Sequence, residues 1–252
     1  MIAPDDRGLL LGDGLFETVL ARGGELVALG AHLDRLAAGC AVLGLPAPDV
    51  LEAEALMRRA LSEAGLEAAR AAVRLTWTAG SGGRGLDRPA ETAPRLLATA
   101  AASAVPAAPA RLVVGSVRRN EGSPASRLKT LSYLDNVLAR REALAAGADE
   151  AVMLNGRGQV ACAAAANLFW VRDGELFTPA LDCGVLDGIV RRQVMAAVAV
   201  TEVAAGVEAL ARAEAVFLTN SLIGVRAAAS LDGRTLAGSP KVAEIAALIS
   251  SP

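Results

Sequence analysis

Only two side chains in this sequence, Lys129 and Lys241, can act as amine nucleophiles. The other 23 basic residues are arginines, which stay protonated and cannot attack a carbonyl. Lys129 lies in SRLKTLSYLDNVLARREA, with Leu128, Leu131 and Leu134 as apolar neighbours. That setting points to a partly buried amine, and desolvation lowers a lysine pKa and makes it a competent carbonyl nucleophile. A surface lysine near a helix start is the plain alternative. Lys241 follows Ser239-Pro240 at a helix start and reads as solvated. The single histidine, His32, would have to serve any Ser-His-Asp arrangement, and a three-histidine zinc site is excluded.

Three further stretches offer contacts for an anion. His32 and Arg35 share a helix face at i, i+3, a solvated pair on the simplest reading. Gly188-Ile189 opens a helix after GVLDG, where unpaired backbone N–H groups and the helix dipole favour a phosphate. Asp187 competes with that reading, because its carboxylate suits the N-cap. Thr219-Asn220-Ser221 follows an apolar strand, as a phosphate cup or an ordinary turn.

The elements that must position these residues follow from periodicity. LFETVL and ELVAL flank a turn at ARGG within 14–27 and predict a hairpin. Leu33, Leu36, Cys40 and Leu43 recur at helical spacing, with Gly44 to end that helix. Asp49 and Glu52 stand in capping-box positions for a second helix, with Val50, Met57, Leu61 and Ala64 as its buried stripe. RAAVRLTW (70–77) alternates like a strand and runs into the glycine-rich AGSGGRGL, and 96–101 predicts another strand. A strand at 111–117, a helix from Ser132 ending near Gly147, hairpins turning at Asn155-Gly156 and Asp173-Gly174, a helix over 188–200, a strand at 215–219 and a helix from Ser239 complete the reading. ASAVPAAPA (102–110) is the one convincing linker. The expectation is an α+β chain of two lobes: 1–101, the linker 102–110, and 111–252 carrying Lys129.

Composition narrows the class. The 252 residues carry a formal net charge of −2, without the basic excess of a nucleic-acid binder. The chain is 53% hydrophobic, but the excess is 56 alanines against 3% aromatics, and no stretch supplies the ~20 strongly apolar residues of a spanning helix. The opening MIAPDDRG lacks a signal-peptide core. Cys40, Cys162 and Cys183 are odd in number, without metal-like spacing. A soluble, cytoplasmic setting without nucleic-acid or membrane partners is expected.

In this order the residues resemble the fold-type IV pyridoxal-phosphate enzymes, which include branched-chain and D-amino-acid aminotransferases and aminodeoxychorismate lyase. The resemblance rests on DRGLLLGDGLFET (6–18), HLDRL (32–36), VRLTWTAGSGGRG (73–85), RLKTLSYLDNVLARREA (127–143), ANLFW (166–170), LFTP (176–179), GVLDGIVR (184–191) and LTNSLIGV (218–225). It implies two α/β-type lobes with pyridoxal 5'-phosphate between them, and a homodimer with loops reaching across. It further implies that Lys129 carries the cofactor as an internal aldimine and later moves the proton. By the same resemblance, Arg35 would pair with the cofactor phosphate, as would Gly188, Ile189 and Val190 at a helix N-terminus and the Ser221 hydroxyl. Arg84 resembles residues near the substrate mouth.

Two departures stand out. The family places a glutamate facing the pyridine nitrogen five residues before the Asn of ANLF, and here that position is Cys162. The first strand that family members carry before DRG is mostly missing. Compact length, KTLSYL and ANLFW are most similar to aminodeoxychorismate lyase, which acts on a small-molecule amine, and a neutral thiol at the ring nitrogen suits elimination better than transamination. The alternatives are an aminotransferase of branched-chain or D-amino acids with 2-oxoglutarate, and an inactive or weakly cofactor-binding homologue.

Overall fold

Alternation builds the first sheet. In β1 (Gly14–Arg22), Leu15, Glu17, Val19 and Ala21 point one way and Phe16, Thr18 and Leu20 the other. β1 pairs antiparallel with β2 (Glu25–Leu26) across the expected turn and, along its whole length, with β3 (Arg70–Thr78), which pairs with β4 (Arg95–Ala102). The sheet order is β2-β1-β3-β4. The apolar face is covered by α2 (Leu29–Leu43) and α3 (Val50–Glu63), which bury Leu33, Leu36, Cys40, Met57 and Leu61 against Val19, Val73 and Leu75. Gly44 ends α2 in the left-handed conformation, and the Asp49 carboxylate caps α3 by accepting from Glu52 N at 2.8 Å. Ahead of the sheet, α1 (Arg7–Leu11) is capped by Asp6.

The structure, a computed structural model, describes residues 2–250. Its internal contacts divide the chain into two compact units: residues up to Ala104 together with Leu128–Ser132, and Val105–Arg127 together with the chain from Tyr133 onward.

The second unit is a nine-stranded mixed sheet. Its strands are β5 (Ala110–Val114), β6 (Glu150–Leu154), β7 (Val160–Ala163), β8 (Asn167–Arg172), β9 (Glu175–Pro179), β10 (Thr201–Val203), β11 (Ala215–Asn220), β12 (Gly224–Leu231) and β13 (Arg234–Thr235). They run in the order β10-β9-β8-β11-β12-β5-β6-β7, with β13 on β12. The sheet curls toward closure: Val160 N, at the start of β7, donates to Ala205 O just beyond β10 at 2.8 Å. Leu112, Val152, Leu168, Trp170, Val216 and Leu218 fill the concave side. The other side packs against α4 (Leu134–Ala145), α5 (Ile189–Ala197) and α7 (Pro240–Ser250), with Phe169 and Phe217 stacked at 4.9 Å beneath α5 and α7. The short α6 (Glu208–Ala211) lies between β10 and β11. Strands buried on both faces read as continuous apolar runs, as in EAVML and AVFLTN.

Several expectations need correction. Val50 and Ala64 are exposed; the buried stripe of α3 is Ala53, Met57, Ala60 and Leu61. α5 stops at Ala197, three residues short of the expected end. β5 ends at Val114 rather than 117. The β6–β7 turn runs from Asn155 to Gln159, with Gly158 rather than Gly156 in the left-handed conformation. β12 was not legible, because GVRAAASL alternates weakly. Lys129 groups with the N-terminal unit, not with the lobe that follows the linker: the edge of β1 left open beyond β2 captures residues 129–131 by backbone pairing.

Candidate active site

In the first unit, the Lys129 backbone is fixed as if it were a strand. Phe16 N donates to Lys129 O at 2.9 Å, Leu131 N donates to Gly14 O at 3.0 Å, and Leu15 bridges Thr130. The ammonium lies 4.3 Å from the centroid of the Phe16 ring, and the Arg74 guanidinium lies 3.7 Å from the same centroid. Cations over an aromatic face are favourable contacts that also fix direction. Arg74 Nε donates to Thr76 Oγ1 at 3.2 Å. Arg74 was not singled out from the sequence, although period-two alternation puts it on the Phe16 face of the sheet.

Arg35 and His32 are not a solvated pair. Both turn inward onto Glu17, whose side chain is 1% exposed. Arg35 Nε and Nη2 donate to the two carboxylate oxygens at 2.8 and 2.6 Å, and His32 Nδ1 meets Oε2 at 2.7 Å. Burial alone would raise the Glu17 pKa; the hydrogen bonds from His32 and Arg35 outweigh it and hold the carboxyl below its ordinary value. A glutamate on the inward face of β1 was the available signal, since a buried carboxylate requires partners.

Arg84 is exposed in the loop after β3, and the loop is held from below. Arg7 donates to the carbonyls of Leu86 at 2.9 Å and Asp87 at 3.0 Å, and its Nε binds Asp13 at 2.9 Å. Arg88 Nε closes on the same Asp13 carboxylate at 2.9 Å. Gly83 has φ +83°, and a Cβ there would lie 2.1 Å from Asp87 O, so the turn admits only glycine. The Arg88 hydrogen bond, opposed by burial and reinforced by Arg7, holds Asp13 below its usual range. A depressed folded pKa means the contact is fully present above the unfolded value and lost as pH falls through the folded one. Asp13→Asn is therefore expected to release the loop at neutral pH, whereas wild type keeps it until pH falls through the lowered pKa of Asp13. Tryptic cleavage after Arg84 in the native protein reads this; an unchanged cleavage rate in the variant would show that Asp13 does not hold the loop.

In the second unit, α5 begins after Gly188 with no side-chain cap. The backbone N–H groups of Ile189, Val190 and Arg191 have no partner among the described residues. Asp187 does not take the N-cap role considered above; its oxygens face Arg191 and Arg192. A Cβ on Gly188 would lie 2.0 Å from Asn167 Oδ1, and Asn167 Nδ2 donates to Leu186 O at 2.8 Å, so Asn167 props the turn that presents the helix. Thr219 is the cross-strand partner of Asn167, fully buried, and its hydroxyl has no partner among the described residues. Ser221 follows in a turn organised by Asn220, whose Oδ1 accepts from Leu222 N and Ile223 N and whose Nδ2 donates to Ala165 O, each at 2.9 Å. A helix start with three unpaired N–H groups and a buried hydroxyl beside it have the donor set a phosphate requires.

Cys162 lies on β7, 6% exposed. Burial pushes its thiol up, against an opposing pull from Arg119 and with the Glu150 carboxylate adding to the rise, so the thiol stays neutral near pH 7. Arg119 is itself buried, with Nε donating to Gly184 O at 3.0 Å and Nη1 to Asn136 Oδ1 at 3.1 Å. Lys241, the other amine, donates to Gly174 O at the surface. Among the described residues no group of three or more metal-ligating side chains occurs, and no helix is long and apolar enough to cross a membrane.

The chain as a whole is similar to known proteins. The class IV amino-transferase family profile matches residues 14–231. A Methanocaldococcus jannaschii protein provisionally named branched-chain-amino-acid aminotransferase is 32% identical over 92% of this chain and 83% of its own length. The aminodeoxychorismate lyase of Bacillus subtilis is 30% identical over 89% and 80%. A crystal structure from Legionella pneumophila, provisionally named 4-amino-4-deoxychorismate lyase, superposes with TM-score 0.90 at 28% identity, covering 98% of this chain and 94% of that one.

Proposed function

Because the chain belongs to the class IV amino-transferase family, whose enzymes depend on pyridoxal 5'-phosphate, we propose that it is an aminodeoxychorismate lyase that releases pyruvate and 4-aminobenzoate. The observation that carries the choice of lyase is Cys162, a buried neutral thiol in the strand position where the family carries glutamate. The residues fit the cofactor: the α5 start with its unpaired N–H groups and the buried Thr219 hydroxyl suit a phosphate, and the fixed Lys129 backbone suits an amine that must return to one place.

When bound, the cofactor supplies a carbonyl carbon for the substrate amine and a ring that draws off the electron pair left by proton removal. Lys129 Nζ would hold the cofactor before substrate arrives and would then take up the proton from the amine-bearing ring carbon of the substrate. Gly188, Ile189 and Val190 would donate backbone N–H groups to the phosphate, with the Ser221 hydroxyl as a further donor; Arg35 is assigned to the phosphate by the family resemblance, and its guanidinium is also held on Glu17. Cys162, without a formal charge, would face the pyridine nitrogen. Arg84 would meet a substrate carboxylate at the mouth. Elimination would send that electron pair into the breaking carbon–oxygen bond to the enolpyruvyl group, which would leave as pyruvate, with aromatisation of the ring as the driving force. Transamination requires the pair to be held until a different carbon is protonated, which a neutral thiol supports poorly. The exposed Leu134, Val137 and Leu138 on one face of α4 are suited to cover by a second copy in a homodimer, and the three free cysteines suit a cytoplasmic setting.

A second reading, an aminotransferase of branched-chain or D-amino acids, is favoured by relatives of similar identity that carry branched-chain and D-alanine aminotransferase names. Incubation with aminodeoxychorismate, and separately with amino acids plus 2-oxoglutarate, decides between them. Aminobenzoate and pyruvate without glutamate are expected, and Cys162→Glu is expected to raise the transamination rate. Robust glutamate formation by the unmodified enzyme would overturn the lyase assignment in favour of the aminotransferase. Absence of both reactions, with no near-visible absorbance, would mark an inactive homologue.

A further inference from the structure

We propose that Arg191 is a positioning residue for the phosphate seat, acting by holding the Asp187 carboxylate away from the start of α5; this rests on the cofactor reading above. Asp187 immediately precedes Gly188, where a free carboxylate would set a negative charge beside the unpaired N–H groups of Ile189, Val190 and Arg191. A carboxylate there competes with a phosphate for the same donors and repels its charge.

The geometry draws that carboxylate along the flank of the helix instead. Arg191 Nη1 lies 3.3 Å from Asp187 Oδ1, and Arg192 Nε lies 3.8 Å from Oδ2. Of the two arginines only Arg191 is rigidly braced. Its side chain is 3% exposed, and Nη2 bonds both Pro179 O, at 3.3 Å, and Glu202 Oε1. Asp187 is 39% exposed and Arg192 44% exposed, so neither fixes the other. A buried guanidinium with a second carboxylate on its far side is a preorganised clamp, because its fork cannot relax without leaving charge unpaired.

The test is a double-mutant cycle on cofactor affinity, measured by titrating apoenzyme prepared from the holoenzyme with pyridoxal phosphate and, separately, with pyridoxal. Arg191→Gln is expected to weaken pyridoxal phosphate binding about tenfold. Asp187→Asn alone is expected to stay within about twofold of wild type, and Asp187→Asn with Arg191→Gln to return to that range. Pyridoxal affinity should be unmoved throughout. A double variant as weak as Arg191→Gln would overturn the proposal, since Arg191 would then act on the phosphate or on folding directly. The same pair built on Arg191→Lys, which keeps a cation in the buried slot, carries the comparison if the neutral variant does not fold. Should wild type bind pyridoxal as tightly as pyridoxal phosphate, the phosphate seat itself is wrong and the proposal falls with it; a wild-type preference that survives intact in Arg191→Gln sinks the proposal alone.

Discussion

Lys129→Ala is expected to abolish turnover, by at least about 10²–10⁴-fold for the lost proton-transferring group alone, and to remove the near-visible absorbance that survives dialysis in wild type. Two side-chain amines exist in the chain, and the structure separates them. Lys129 has its backbone locked to the edge of β1 and its ammonium over the Phe16 ring, whereas Lys241 hydrogen-bonds a turn carbonyl at the surface. Borohydride treatment of the holoenzyme should place the cofactor on the peptide containing Lys129. Lys129→Arg should fail as completely as alanine, because a guanidinium cannot give up its proton. Lys241→Ala should leave absorbance and turnover unchanged. Label recovered on Lys241, or full activity in Lys129→Ala, refutes the assignment.

Arg35→Ala is expected to lower stability as well as cofactor affinity. Arg35 supplies two short contacts to the fully buried Glu17 carboxylate, and its own side chain is only 14% exposed. Removing one partner of a buried ion pair costs about 3–5 kcal/mol, a fall in Tm of about 6–20 °C at about 2–4 °C per kcal/mol for a chain of this size. Arg35→Met combined with Glu17→Gln should recover much of that loss, since no charge is then left buried. In wild type the contribution is present above the unfolded pKa of the glutamate and is lost as pH falls through its lowered folded value. Thermal melts of the cofactor-free proteins decide the matter. A single variant that melts within a degree or two of wild type would show that Arg35 is not structural, and any effect on the cofactor would then stand alone.

The two predictions differ in how far they were legible beforehand. Lys129 was singled out by elimination among amines and by apolar neighbours in sequence, both of which are local facts. Arg35 was visible only as one of two cations at i, i+3, and the same spacing serves a wet surface pair equally well. What separates the cases is Glu17, 18 residues away on β1, and sequence distance carries no sign of that contact. The Asp187 ambiguity had the same origin: a carboxylate before a helix start reads as a cap until Arg191, braced from β9 and β10, is seen to draw it aside.

The sequence alone determined the α+β class, most helices and strands, the family resemblance and the departure at Cys162. Periodicity, capping residues and ordered motifs act over a few positions and survive without tertiary context. Only the tertiary structure decided that residues 128–132 complete the N-terminal sheet, because an unpaired strand edge can be satisfied by any segment the chain brings to it. It likewise decided the orientation of every buried charge, since a carboxylate removed from water must find its cations wherever the fold delivers them.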